Sequence, residues 1–397
     1  MAPETPDDEP GGEHICVGVR RRMNRFGTRD RDRAVAVWMF VAATLVFAMV
    51  VVGGATRLTG SGLSITEWKP ILGAIPPLND AQWAEAFEKY KAIPQYAQVN
   101  AGMSLSEFQG IFWWEWAHRF LGRIIGLVVG LPVLVALIAR LAEAVVLRGA
   151  AGAVWVRRLA MPDRLFWRVL VLLGLGGLQG LIGWWMVASG LEVRVDVAPE
   201  RLAVHLGLAL IIFMGLIWTG LEAWFGPEHS RSPVGWSRAA ALLLAAVFVQ
   251  CLLGALVAGA KAGFVYTDWP LMNGALLAPV DWAGKGVLAV LHDQALVQFM
   301  HRVWAYAVMI FATGYAVQAW RWRLAEGLGL SAVVLAVAVW LQAALGIMTL
   351  IHAVPLPLGV LHQGGAAIVL GLTTVNLWLV LRSQPRLFTS GRPPRGR

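Results

Sequence analysis

Eight apolar runs, each about 20 residues long and so able to cross the hydrocarbon core of a bilayer, divide this chain. They lie at 34–53, 119–139, 165–187, 202–225, 237–259, 297–319, 329–350 and 358–381. Lipid offers no hydrogen-bond partner to a backbone, so each run must close its own ladder as a helix. The expected fold is an all-α integral membrane protein with eight transmembrane helices. Composition agrees, with 58% hydrophobic residues, 14% charged residues and 20 Trp in 397 residues, which excludes an ordinary soluble domain.

Lys and Arg set the orientation. Most of the 33 basic residues fall in the N-terminal tail, in 140–168, at Arg231 and Arg238, at Arg321 and Arg323, and in the C-terminal tail. Excess positive charge stays on the cytoplasmic side, so both termini are expected there. The net charge of +9 is this topology signal, and nucleic acid is not an expected partner. The first run is long enough to span and lacks a clear cleavage site, so it reads as a retained helix. Residues 1–33 read as a polar, disordered cytoplasmic tail, and 382–397 as a second cytoplasmic tail. The outer side receives two long loops, about 54–117 and 260–295. Cys16 and Cys251 stand in different environments and form neither a disulfide nor a thiolate metal site.

An internal repeat organises the spans. "GSGLSITEWKP" after the first helix resembles "KAGFVYTDWP" after the fifth, and "AHRF" in the second resembles "MHRV" in the sixth. "LQGLIGWWMV" matches "LQAALGIMTL", and "AVHLGLAL" matches "VLHQGGAAIVL". Two four-helix bundles, 34–225 and 237–381, are therefore expected, related by a pseudo-twofold along the membrane normal.

The eight histidines then sort themselves. His14, His229, His292 and His352 fall in tails, links or loops, where a solvated or locally bonded role is expected. His118, His205, His301 and His362 open the second, fourth, sixth and eighth helices, all near the outer membrane face. A lone intramembrane histidine satisfies an interhelical hydrogen bond as readily as a metal. Two from facing helices of a bundle supply both axial ligands of a haem. Zinc or copper fits less well, because neither half shows a third ligand at helical spacing. Gly207, Gly364 and Gly365 beside these histidines would admit a flat macrocycle, or serve helix packing.

Haem propionates need cations. Arg119 and Arg302 each follow a candidate ligand, and Arg57 and Lys69 lie in the first outer loop; the alternative for the arginines is snorkelling to the interface. One position breaks the repeat: Glu115 precedes His118 by three residues, where Gln298 precedes His301. At that spacing the two side chains share a helix face. A carboxylate there suits chemistry, as a base or a counter-charge; a salt bridge to Arg119 one turn on is the competing assignment.

With "TRLTGSGLSITEWKP", Glu-x-x-His-Arg in the second helix and a histidine on every even-numbered helix, the chain resembles the haem A synthase family across about 34–381. That resemblance implies oxidation of a methyl group of haem O to the formyl group of haem A, for terminal oxidase biogenesis. It implies that His118 and His205 face the iron of the substrate haem in the N-terminal half. It also implies that His301 and His362 ligate a haem b in the C-terminal half, with Glu115 the catalytic carboxylate and Arg57, Arg119 and Arg302 near the propionates. Without loop cysteine pairs, the chain resembles the class shared by mitochondria and their bacterial relatives. Implied partners are haem O, the lipid bilayer, a haem O synthase and an electron acceptor. The competing function is a dihaem b-type cytochrome carrying electrons from quinol, which gives no reason for Glu115 in one half alone; a repeat-built transporter would instead show broken helices at mid-membrane. Trp68 and Trp269 either cover haem edges or anchor loops. Gln179 and Gln342 are expected to bond across helices, and 78–112 to form a short lid.

Overall fold

The computed structural model of the chain describes residues 11–145, 161–226, 234–321 and 327–382. Among them are twelve α-helices. The first six are α1 (Gly11–Leu58), α2 (Asp80–Lys91), α3 (Pro94–Gln98), α4 (Leu105–Val145), α5 (Asp163–Ala188) and α6 (Pro199–Phe225). The second six are α7 (Val234–Gly259), α8 (Trp282–Lys285), α9 (Ala289–His292), α10 (Gln294–Arg321), α11 (Leu328–Ile351) and α12 (Leu356–Arg382). Eight of them, α1, α4, α5, α6, α7, α10, α11 and α12, are long and apolar enough to cross a membrane. They coincide with the eight runs, and the chain is a multi-pass membrane protein.

Two boundaries depart from expectation. Helix α1 runs back to Gly11, where a disordered tail was expected over 1–33; no proline interrupts the ladder between Gly11 and Arg33. The tail over 382–397 lies outside the described residues beyond Arg382. Helix α4 begins at Leu105 rather than 119. Its start is a capping box: Ser104 N donates to Glu107 Oε2 at 2.8 Å and Glu107 N donates to Ser104 Oγ at 3.3 Å.

Within each half the spanning helices pack in chain order and close into a ring, α1–α4–α5–α6 and α7–α10–α11–α12. The rings meet along α6 with α7 and α1 with α12. One core gathers Met39, Leu165, Val169 and Leu216, the other Leu243, Val247, Leu335 and Leu370, and Phe47 packs against both. Runs of alanine such as Ala312, Ala316 and Ala319 are buried, which lets the helices approach closely enough for dispersion to hold them in lipid. Leu131, Leu134, Ile138, Ile310 and Leu341 point outward, as a lipid-facing surface requires. Outside the spans, Phe87 and Tyr90 of α2 join Leu63, Phe108 and Phe112 in a small apolar core, so the segment expected as a lid is packed on the start of α4.

Candidate functional site

Each of the four intramembrane histidines lies against a glycine of the preceding spanning helix. A methyl group on Gly53 would come within 2.8 Å of His118 Cε1, one on Gly183 within 2.9 Å of His205 Cε1, one on Gly254 within 3.2 Å of His301 Cε1, and one on Gly346 within 2.7 Å of His362 Cε1. At Gly53, Gly183 and Gly346 a Cβ would force the imidazole to shift, and at Gly254 the fit would be tight. His205 lies within electrostatic reach of His118, and His362 of His301. His301 and His362 also line one cavity.

Three of the four imidazoles also have a glutamine, four residues before the notch glycine and on the same helix. Gln179 Nε2 donates to His205 O at 3.0 Å and lies 3.1 Å from its Nδ1. Gln250 Nε2 does the same for His301 at 3.1 and 3.0 Å, and Gln342 Nε2 for His362 at 2.7 and 3.0 Å. The position equivalent to these in α1 is Met49, and His118 Nδ1 is buried without a partner. Gln179 and Gln342 thus bond across helices as expected, whereas Gln250 and the four notch glycines were missed. The signal was present as Gln-x-x-x-Gly in α5, α7 and α11. The glycines singled out from the sequence serve other contacts. Gly207 faces Leu252, Gly364 faces Val51, and Gly365 makes room for the side-chain oxygen of Gln342.

Glu115 is 3% exposed and fully engaged. Its Oε2 accepts from Ser64 Oγ at 2.8 Å and from Ile65 N at 2.7 Å, and its Oε1 from Arg119 Nε at 3.0 Å and a terminal nitrogen at 2.7 Å. Arg119 also donates to Ile65 O at 2.6 Å and Glu67 O at 2.9 Å. The salt bridge weighed from the sequence is present, and with it a clamp that ties the first outer loop to α4. The second half repeats the clamp without the charge. Gln298 Nε2 donates to Tyr266 O at 2.9 Å and its Oε1 accepts from Arg302 at 3.2 Å, while Arg302 reaches Asp268 O and Leu271 O, each at 2.9 Å. Arg302 Nε is buried without a partner.

A cavity of about 480 Å³ opens in the C-terminal ring, lined by His301, His362, Gln250, Gln342, Arg302 and Arg57, within the size range of small-molecule and cofactor sites. Arg57 had been assigned to the first outer loop. It instead closes the last turn of α1 and enters the cavity of the opposite half. Trp269 lines the same cavity, its indole donating to Tyr306 Oη at 3.0 Å, whereas Trp68 rests on Trp184 with ring centroids 6.3 Å apart. Lys69 pairs with Glu67 at 2.9 Å in the outer loop, and this hydrogen bond is the main force holding the Glu67 carboxyl below its ordinary value. His352 Nδ1 lies 2.8 Å from Met348 O, a local partner, whereas His292 lies 3.6 Å from Glu200 at the start of α6 in the other half. His229 lies outside the described residues, and the side chains of His14 and Cys16 outside the described side chains. Cys251 is free and buried.

A haem fits this donor set. Paired imidazoles match two axial positions, and the glycine notches seat them where a Cβ would intrude. Gln179 Oε1 and Gln250 Oε1 are buried without a donor on amides whose Nε2 lies at the ring, so a turn of the amide would give a metal-ligated histidine's N–H an acceptor. In the C-terminal half, Arg302 Nε and Arg57 supply cations for carboxylates.

Residues 36–374 match the family model of the cytochrome oxidase assembly protein COX15-CtaA. The chain is 56% identical over 362 residues to the heme A synthase of Caulobacter sp. (strain K31), an alignment covering 91% of this chain and all of that relative. The heme A synthase of Caulobacter vibrioides is 54% identical over the same length and coverage. That of Rhodopseudomonas palustris (strain BisA53) is 50% identical over 348 residues, 87% of this chain and 90% of the relative.

Proposed function

Because the chain belongs to the COX15-CtaA family of cytochrome oxidase assembly proteins, we infer that it is the membrane enzyme that oxidises haem O to haem A. The observation that carries this function is its 56% identity, over the whole length of that relative, to a heme A synthase. The net change converts a methyl to a formyl group. Two oxidations, each removing two electrons and adding one oxygen atom, give the alcohol and then the hydrated aldehyde, which loses water.

The halves take different roles in this proposal. The N-terminal ring (34–225) holds the substrate haem between His118 and His205, and the C-terminal ring (237–381) holds a haem b between His301 and His362. The difference between Glu115 and Gln298 supports this division, since a carboxylate stands three residues before His118 on α4 where an amide stands three residues before His301 on α10. A resident haem b supplies one-electron redox capacity. The protein's own part is placement and field. The Glu115 carboxylate, 3% exposed and held by Ser64, Ile65 and Arg119, is placed to stabilise positive charge developing on the carbon being oxidised. Arg119 holds the carboxylate at that place and shares its charge. Arg57 and Arg302 receive the propionates of the C-terminal haem, and the outer-loop clamps fix both mouths. Both termini lie in the cytoplasm, the membrane is the bacterial plasma membrane, and haem O arrives from a haem O synthase while a separate acceptor removes electrons.

The test is to express the chain in cells that make haem O but no haem A, extract the haems and identify them by mass. Haem A from the parent and only haem O with haem b from Glu115→Gln is the expected result. Haem b alone from the parent would overturn the proposal in favour of an electron carrier.

A further inference from the structure

The four histidine seats differ in one respect that the division of roles does not use. Three have a glutamine that bridges the imidazole and its main-chain carbonyl; the fourth has Met49. The methionine occupies the same place in its helix, four residues before Gly53, and its Cε lies 3.3 Å from where a Cβ of Gly122 would stand, one turn beyond His118. It thus reaches the neighbouring helix α4 as the glutamines reach theirs, but brings a thioether with no donor and only a weak acceptor. His118 Nδ1 is correspondingly buried and unpartnered.

A neutral imidazole has one N–H. When Nε2 gives its lone pair to iron, that hydrogen sits on Nδ1 and needs an acceptor, which fixes the ring plane and strengthens the ligand. In the structure the amide presents Nε2 to the ring and to the carbonyl; a glutamine meets the need by turning over, so that Oε1 takes the place of Nε2 beside Nδ1 in exchange for the bond to the carbonyl. Oε1 is buried without a donor in Gln179 and Gln250, and in Gln342 it has the space left by Gly365.

We propose that Gln179, Gln250 and Gln342 are positioning residues that orient His205, His301 and His362 as iron ligands, and that Met49 makes His118 the ligand that lets go. The proposal rests on the reading of the N-terminal ring as the substrate site. A resident cofactor must stay, whereas a substrate haem must load and its product must leave, and one weakly held ligand gives that exchange a starting point without loosening the other ring.

The experiment follows haem loss from the purified full-length protein to an apo-globin acceptor, read by absorbance, with haem type identified by extraction. The parent is expected to lose haem in a fast and a slow phase. Met49→Gln slows the fast phase by about tenfold, the worth of one net hydrogen bond. Met49→Leu, which keeps shape without an amide, leaves it at the parental rate and reports any general packing effect. Gln342→Leu speeds the slow phase by a similar factor and alters the low-spin EPR signal, which reports ligand-plane orientation. A fast phase unchanged by Met49→Gln, or changed equally by Met49→Leu, would overturn the proposal, as would a slow phase indifferent to Gln342→Leu. His118→Ala separates the underlying assignment: a fast phase that survives it means that the exchanging haem is not in the N-terminal ring, and the reading of the halves fails first.

Discussion

Arg119 stands one helical turn after Glu115 and donates to the same carboxylate oxygen twice, at 2.7 and 3.0 Å, and Arg302 stands in the same relation to Gln298 at 3.2 Å. The two rings therefore share one mechanical device and differ in its charge.

That difference predicts a graded response. Glu115→Ala leaves a partly buried guanidinium without an anion and is expected to cost about 3–5 kcal/mol. Glu115→Gln costs less, because Gln298 shows that an amide can hold this clamp. Haem A formation should nonetheless fall at least about tenfold in Glu115→Gln, a loss of about 1.4 kcal/mol of transition-state stabilisation. Thermal unfolding in detergent and haem extraction measure the two effects separately. Full activity in Glu115→Gln would leave the carboxylate a purely structural role.

The notches predict a second separation. Alanine favours a helix interior over glycine by about 1 kcal/mol, so propensity alone would make Gly346→Ala harmless. Its methyl group, however, would lie 2.7 Å from His362 Cε1 and push the imidazole from its seat. Haem content of the C-terminal ring should drop while the helical circular dichroism signal stays at the parental level. Gly53→Ala should do the same to the N-terminal ring through His118.

Much of this architecture was legible in advance, for physical reasons that also set the limits. Apolar runs of spanning length are a strong signal because lipid admits few alternatives, and the histidines stood out because the repeat places them in register. The start of α4 was missed because "SEFQGIFWWEW" carries polar residues that lower its mean hydropathy, although the Ser104–Glu107 capping box marks it. The notch glycines were illegible because glycine is common in membrane helices, and its purpose depends on what the neighbouring helix presents. Gln250 was overlooked for a different reason: the repeat was sought between halves, whereas Gln-x-x-x-Gly recurs within the C-terminal half as well. Arg57 was misassigned because the apolar pattern ends before the helix does.

The second outer loop should respond to acid. Asp268 accepts from Asn273 N at 2.9 Å, and this backbone bond is the largest influence lowering its carboxyl below the ordinary value of 3.8. A depressed folded value means that the contribution is present above that ordinary value and is lost as pH falls through the folded one. Amide exchange at Asn273, corrected for the intrinsic pH effect, should accelerate on acidification below about pH 4. Asp268→Asn should remove that pH dependence.

The bridge between Lys261 and Asp196 joins the two halves at 2.6 Å, but Lys261 is exposed and Asp196 about one-third so, at 34%. Exposed pairs contribute about 0–1 kcal/mol, so Asp196→Asn should shift the melting temperature in detergent by no more than a few degrees. A large loss would mean that the outer contact, rather than helix packing, holds the rings together.

Arg57 bears on how a duplicated protein becomes a single machine. A self-sufficient four-helix unit would carry every group that its own cavity requires. Here α1 of the first unit contributes a cation to the cavity of the second, and the matching position in α7 is Ala258. A C-terminal half produced alone would fold around a cavity missing one of its two arginines, and restoring that group would require the first half at its side. The rings are therefore not interchangeable: the second draws one of its cavity cations from a helix of the first.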